Sequence, residues 1–295
     1  MNKPQIIGLG LSGLIGSRIV ELLSDKYKFI DLSISKGVDI TRIETLEIIK
    51  NYKEAKFVLH LAAKANVDGC EKDKVLGKDG SAWKLNVEGV KNVAEVCLSE
   101  NKKIIYVSTD FVFDGTKKMG EKYSEDDTPN PINWYAKTKY EGEKAVQNSG
   151  ADYVIARFAY PYRAFYELKK DFVRVIKERL EQGQQFNAVE DHIITPTFID
   201  DIAYALDVLI KKGSSGIFHI VGSESLSPYE ASLKIADVFG LNKSLINKTT
   251  RDEFFKDKAT RPFNLALKND KISKLGVKMS TFEEGLIKLH KQLKI

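Results

Sequence analysis

Through the first two thirds of the chain, short apolar runs alternate with stretches whose apolar residues recur at helical spacing. Residues 4–9 read as a buried strand, and a helix follows with Ile15, Ile19, Leu22 and Leu23 on one face. Further strands are predicted over 28–33, 56–62, 103–108, 153–159 and 217–221. Between the third and fourth lies a helix that carries Leu85, Val90, Val93, Ala94 and Cys97. Strand, helix, strand at this spacing implies a parallel sheet covered on both faces, and right-handed crossovers make a doubly wound, Rossmann-type α/β fold the expectation.

The last third changes character. From Ser223 onward the pattern predicts helices and connectors without a sheet pattern, with amphipathic helices over 229–239 and 281–293. A charged helical stretch over 160–185 also interrupts the alternation. The expected division is a dinucleotide-binding domain from residues 1–159 plus about 190–222, and a smaller, mostly helical substrate lobe from about 160–189 plus 223–295.

Composition narrows the class. With 43% hydrophobic residues in 295, a core is available. No apolar run reaches the roughly 18 residues of a membrane span, and residues 1–5 lead into a strand without a signal segment. Cys70 and Cys97 are too few for a disulfide framework and lack metal-ligand spacing, so no metal is expected and a cytoplasmic setting fits. The net charge of +5, from 46 basic and 41 acidic residues, is scattered. It favours anionic small ligands and argues against nucleic acid as a partner.

The first strand runs into Gly8-Leu9-Gly10-Leu11-Ser12-Gly13-Leu14-Ile15-Gly16. Glycines at 10, 13 and 16 allow a tight turn, close approach of a pyrophosphate and helix-on-strand packing. The turn follows a strand and opens a helix, the context that gives a glycine pattern meaning. Gly10, Ser12, Gly13, Leu14 and Ile15 are therefore candidate dinucleotide contacts, their N–H groups facing the phosphates. Leu61, Ala62, Ala63 and Lys64, where the third strand ends, should face the same ligand. Asp31 falls in the middle of the second expected strand, early for a ribose-binding acid, whereas Ser33, Ser35 and Lys36 suit a 2′-phosphate. The reading is NADP or NAD, leaning to NADP.

Tyr135-Ala136-Lys137-Thr138-Lys139 contains Tyr-x-x-x-Lys, which puts both ends on one helix face. A tyrosine near a carbonyl can give it a proton as hydride arrives, and a lysine ammonium beside it lowers a phenol pKa that is otherwise about 10. The same lysine can hold the nicotinamide ribose. Upstream, a strand ends at Val107-Ser108-Thr109, where the Thr109 hydroxyl can polarise the same carbonyl. Of the histidines, His60 and His219 read as packed strand residues. His192 sits in an expected loop, as a substrate contact or an ordinary exposed side chain. Phe158, Tyr160, Tyr162, Phe165 and Tyr166 divide between core and a ligand pocket.

Together these motifs resemble the extended short-chain dehydrogenases that act on nucleotide sugars, above all the dTDP-4-dehydrorhamnose reductase family and its relative, the methionine adenosyltransferase regulatory β-subunit. The resemblance rests on Gly10-x-x-Gly13-x-x-Gly16, the string from Val107-Ser108-Thr109-Asp110-Phe111 to Gly115, Tyr135-x-x-x-Lys139, Pro196-Thr197 and Arg261-Pro262. It implies NAD(P)H-dependent reduction of a 4-keto group on a nucleotide-linked deoxysugar, with Thr109, Tyr135 and Lys139 catalytic. It further implies adenine contacts from Asp39 and Ile40, support from Asn86, substrate contacts from Thr109, Asp110, Tyr160, His192 and Arg261, and a homodimer as a candidate assembly.

The sequence departs from that family at Tyr160, often tryptophan, at His192, often glutamine, and in a longer segment over 68–83. These changes gather where substrate is expected and leave the sugar open. A sugar-nucleotide dehydratase is disfavoured because Phe111 replaces its glutamate base. An epimerase, or a non-catalytic dinucleotide-binding regulatory subunit, stays as the alternative.

Overall fold

The computed structural model describes residues 3–294, so the start of the 1–5 reading lies outside the described residues. Six strands form one parallel sheet: β1 (Gln5–Leu9), β2 (Lys28–Asp31), β3 (Phe57–His60), β4 (Lys103–Thr109), β5 (Tyr153–Phe158) and β6 (Gly216–His219). Their order is β2-β1-β3-β4-β5-β6, every neighbouring pair parallel. The chain thus leaves β1 in one direction and resumes beyond it in the other. A crevice opens at the carboxyl ends of β1 and β3, where such sheets take their ligands.

Seven longer helices accompany the sheet: α1 (Leu14–Leu23), α2 (Gly89–Ser99), α3 (Trp134–Asn148), α4 (Phe172–Glu181), α5 (Ile199–Lys211), α6 (Pro228–Phe239) and α7 (Phe282–Leu293). Strand side chains alternate between the faces. Ile6, Leu59, Ile105 and Val154 pack with Ile19 and Leu23 of α1 and Ile202 and Leu206 of α5. Their neighbours Ile7, Val58, Ile104 and Ile155 pack with Val90, Val93 and Cys97 of α2 and Val146 of α3. A parallel sheet buried on both faces needs this near-continuous apolar pattern.

The later segments join in a third apolar cluster. Tyr162, Val173, Phe198, Leu226, Ile235, Phe282 and Leu286 bring α4, α6 and α7 together. Capping boxes start both α6, from Ser227 and Glu230, and α7, from Thr281 and Glu284.

Three expectations are corrected. Helix in the 160–185 stretch begins only at Phe172, capped by Asp171, and Pro161–Tyr162 is instead a short strand paired with Thr197–Phe198. The tail does contain sheet: Ile246–Thr249 runs parallel to Phe186–Val189. With only Ile246 and Thr249 buried there, four residues are too few to show a two-residue period. Finally, β2 ends at Asp31, because Ser33 opens a 3-10 turn over Ile34–Lys36. Among the described residues no helix is long and apolar enough to cross a membrane.

Candidate active site

The turn after β1 is built as its glycines require. Gly10 has φ of +89°, and a Cβ there would lie 2.9 Å from the Ala62 nitrogen. A Cβ on Gly16 would lie 2.7 Å from Leu11 Cα, so helix and turn touch backbone to backbone. Gly13 differs: it faces open space except for Gly10 O at 3.4 Å, and it caps α1 with no side chain over the free N–H groups. No acidic residue stands in the first turn of α1. An anion can therefore approach the helix end without displacing protein. Leu61 N and Ala62 N both bond Leu9 O, at 2.9 and 3.0 Å, which lays the 61–64 segment against this turn.

At the end of β2, Asp31 occupies the position that the sequence reading denied it. Its Oδ2 accepts from the Ser33 hydroxyl at 3.3 Å, and its Oδ1 is buried without a partner. Ser33 and Ser35 share a hydrogen bond of 2.9 Å, beside Lys36 in the same 3-10 turn. The Asp39 carboxylate is occupied by the Thr41 N–H and hydroxyl, at 2.9 and 2.8 Å. Ile40 is buried, and its carbonyl accepts from Asn92 of α2 at 3.0 Å.

Asn86 stands in a π-helical turn over Lys84–Glu88 and is fully buried. Its amide oxygen accepts from Lys64 N at 2.9 Å, and its Nδ2 donates to Lys64 O and to Thr138 Oγ1, each at 3.0 Å. One side chain thereby ties the loop after β3 to helix α3.

The three expected catalytic residues meet where β4 ends and α3 begins. Asn133 caps α3 and bonds Thr260 O at 2.9 Å, which sets the helix start against the tail of the chain. Half-buried Tyr135 packs edge-on against Phe111, centroids 5.9 Å apart. Burial pushes its phenol well above the ordinary range, against an opposing pull from the Thr109 hydroxyl. Lys139 is buried, and its Nζ donates to Val107 O at 2.7 Å and lies 4.1 Å from the Tyr106 ring centroid. Burial brings its pKa down to about 7. Burial thus raises the phenol and lowers the ammonium, each towards its neutral form.

Thr109 donates to Asp110 Oδ1 at 2.9 Å. The Asp110 carboxyl is pushed up to about 7 by burial, and its Oδ2 has no partner. Among the described residues Tyr160 is one of two non-glycine residues with positive φ, at +42°, a conformation that costs roughly 1–2 kcal/mol. His192, which could have been an exposed loop residue, is buried. Its Nδ1 lies 2.6 Å from Pro262 O and its Nε2 lies 3.0 Å from Tyr160 Oη. Arg261 is also buried, spent on Asp68 at 2.9 Å and stacked over Phe255 at 4.7 Å. His60 and His219 pack as strand residues, both held neutral by burial with pKa values near about 3. Of the aromatic group, Phe158 and Tyr162 are core, Phe165 is exposed, and Tyr166 donates to Ser12 O at 2.9 Å.

Several neighbours escaped sequence reasoning. Arg163 reaches Leu14 O and Ser17 Oγ, at 3.2 and 2.8 Å, and so steadies the first turn of α1. Cys70 is buried close enough to act on the charge of Tyr135 and Lys139. Neither carries a local signal.

Sheet order, glycine turn and a Tyr-x-x-x-Lys helix beside a strand-end threonine define an enzyme of the extended short-chain dehydrogenase type. More narrowly, the chain belongs to the RmlD substrate binding domain family, which matches residues 4–295. It is 30% identical to a dTDP-4-dehydrorhamnose reductase of Aggregatibacter actinomycetemcomitans over 94% of this chain and 95% of that one. It is 31% identical to the methionine adenosyltransferase 2 subunit beta of Bos taurus over 76% of this chain and 66% of that one. The crystal structure of the Bacillus anthracis dTDP-4-dehydrorhamnose reductase in complex with NADP superposes with a TM-score of 0.89 at 27% identity, covering 99% of this chain and all (100%) of that one.

Proposed function

We propose that this protein is an NAD(P)H-dependent reductase of a 4-keto group on a nucleotide-linked deoxysugar. The observation that carries the reading is the convergence of Thr109, Tyr135 and Lys139, with the Lys139 ammonium bonded to the strand that presents Thr109. Its relatives named as dTDP-4-dehydrorhamnose reductases support it.

The residues present fit a dinucleotide. Gly13 leaves open space at an uncapped helix end, and Asp31 Oδ1 is an orphaned buried acceptor at the end of β2. Gly10, Ser12, Gly13, Leu14 and Ile15 would hold the pyrophosphate, Leu61 to Lys64 would flank it, and Asp39 and Ile40 would border the adenine. Ser33 and Lys36 would take a 2′-phosphate, and NADP is the preferred form in this reading. When bound, the reduced nicotinamide supplies the hydride.

The chain's own groups manage the proton. Burial keeps the Tyr135 phenol protonated at neutral pH, which is the form that gives a proton to the carbonyl oxygen. The phenolate left behind then has the Lys139 ammonium to stabilise it. Thr109 would hold the same oxygen from the strand end once its hydroxyl turns from Asp110 Oδ1. Residues 1–159 with about 190–222 would bind the dinucleotide and the remainder would form the substrate lobe; Asp110 and Tyr160 would meet the sugar nucleotide, supported by His192, bonded to Pro262 O and Tyr160, and by Arg261, paired with Asp68. A cytoplasmic setting fits the two unpaired cysteines.

The test mixes the protein with NADPH and a panel of 4-keto nucleotide sugars and follows cofactor absorbance. Oxidation with at least one sugar, lost in Tyr135→Phe, is the expected result. Tight cofactor binding without turnover of any sugar would favour a non-catalytic subunit.

A further inference from the structure

Two tyrosines flank Phe111. Both rings pack on Phe111, with centroids 5.9 Å away for Tyr135 and 6.5 Å for Tyr160. The charge of Asp110 acts on both phenols. Their hydroxyls are nevertheless wired differently.

His192 decides the wiring. Its Nδ1 lies 2.6 Å from Pro262 O, and a carbonyl can only accept, so the ring proton sits on Nδ1. A buried histidine with its pKa pushed down to about 4 carries no second proton at neutral pH. Nε2 is then a bare lone pair, and the Tyr160 hydroxyl, 3.0 Å away, must donate to it. That proton is committed. What Tyr160 offers to a ligand is its oxygen, as an acceptor. Among the described residues no histidine nitrogen stands on the Tyr135 hydroxyl; its neighbour is the Thr109 hydroxyl.

The surroundings hold this geometry firmly. Tyr160 keeps its left-handed backbone, its carbonyl accepting from Thr197 N at 3.2 Å. Its ring is wedged edge-on against Phe172, centroids 5.8 Å apart. Strain retained at one aromatic residue in a pocket is a mark of a position fixed for a ligand. A second unpaired polar atom stands on the residue before Phe111, because Asp110 Oδ2 is buried without a partner, a donor when the carboxyl is protonated and an acceptor when it is not. A phenol that no histidine holds, beside a phenol oxygen left only to accept, matches a ligand with one carbonyl and at least one hydroxyl.

Resting on the reductase reading, we infer that Tyr160, oriented by His192, is a specificity-determining acceptor for a ring hydroxyl of the keto sugar. The site therefore selects a sugar that still bears a hydroxyl on the ring beside its ketone over a further-deoxygenated one. Tyr160 touches the substrate in this account, and His192 is a positioning residue that acts through it.

Calorimetry on the protein loaded with NADP⁺ tests this, since the oxidised cofactor permits binding without turnover. The probes are dTDP-4-dehydrorhamnose and its two single-deoxy analogues at carbons 2 and 3. In wild type, one analogue should bind about tenfold more weakly than the parent, the worth of a hydrogen bond whose loss leaves a buried group unpaired. Tyr160→Phe should weaken the parent by the same factor and leave that analogue unchanged. His192→Leu should reduce the discrimination, and His192→Gln, whose amide oxygen can still accept from the phenol, should restore it. NADP⁺ affinity, measured in parallel, should be constant and reports that each variant is folded. Equal binding of all three sugars to wild type, or undiminished discrimination in Tyr160→Phe, would overturn the inference while NADPH oxidation leaves the reductase reading standing. Failure of every sugar to bind would overturn both.

Discussion

Lys139 Nζ donates to the Val107 carbonyl at 2.7 Å, two residues before Thr109 on the same strand. The ammonium is thus anchored to the strand that ends at Thr109, and it rests on the face of Tyr106. Burial makes it a lysine that titrates near neutrality, with its pKa at about 7.

That anchoring predicts a pH profile. The folded pKa is depressed, so the ammonium is present below about 7 and disappears as pH rises through that value. In the proposed mechanism the ammonium stabilises the phenolate, so kcat for the reductive direction should fall on an alkaline limb with a midpoint of about 7. In Lys139→Met the residual activity should lose this limb. Identical limbs in both proteins would show that another group titrates.

Tyr135→Phe should lower kcat by a factor on the order of 10² to 10⁴, the usual contribution of a positioned acid. Cofactor affinity should hold, because only a hydroxyl is removed. Thr109→Val should cost less, since it removes a hydrogen bond and no proton source. Near-normal turnover by Tyr135→Phe, with hydride transfer rate-limiting, would place the proton source elsewhere.

Two glycines should part company. Gly13→Val should weaken dinucleotide binding at least about tenfold with an unchanged melting temperature, because its Cβ meets only Gly10 O, at 3.4 Å. Gly16→Val should lower the melting temperature itself, since its Cβ would press on Leu11 backbone at 2.7 Å. Unchanged affinity in the first variant, by fluorescence titration, would remove the phosphate role from the turn.

Cofactor choice turns on the end of β2. Ser33, Ser35 and Lys36 favour the 2′-phosphate, while the partnerless Asp31 Oδ1 opposes it. The expected outcome is a modest NADPH preference in kcat/KM that widens in Asp31→Asn. A clear NADH preference in wild type would mean that Asp31 governs the ribose.

Glu143 and Arg157 form a fully buried pair, Nε to Oε1 at 2.9 Å and Nη2 to Oε2 at 2.7 Å, one turn beyond Lys139. Glu143→Leu would strand the guanidinium and should cost about 3–5 kcal/mol in urea unfolding. A loss below about 1 kcal/mol would show that His219, 3.4 Å from Nη1, compensates.

Much of this protein was legible along the chain. The apolar runs of the strands, the helical spacing at Ile15, Ile19, Leu22 and Leu23, and the glycines of the first turn are properties of short segments. Each is set by neighbours within a few residues, so each can be read without the fold. The same holds for Tyr135 and Lys139, which share a helix face by spacing alone. The tertiary structure decided the rest. That four residues at Ile246–Thr249 find a partner in Phe186–Val189, and that His192 is buried, were settled by segments far off in the chain. Lys139 reaches Val107 across 32 residues, and Tyr160 reaches His192 across another 32. Desolvation and hydrogen-bond direction belong to a place in space rather than to a stretch of sequence. The chain names the groups that can move a proton, and only their burial and partners determine which one gives it and which one receives.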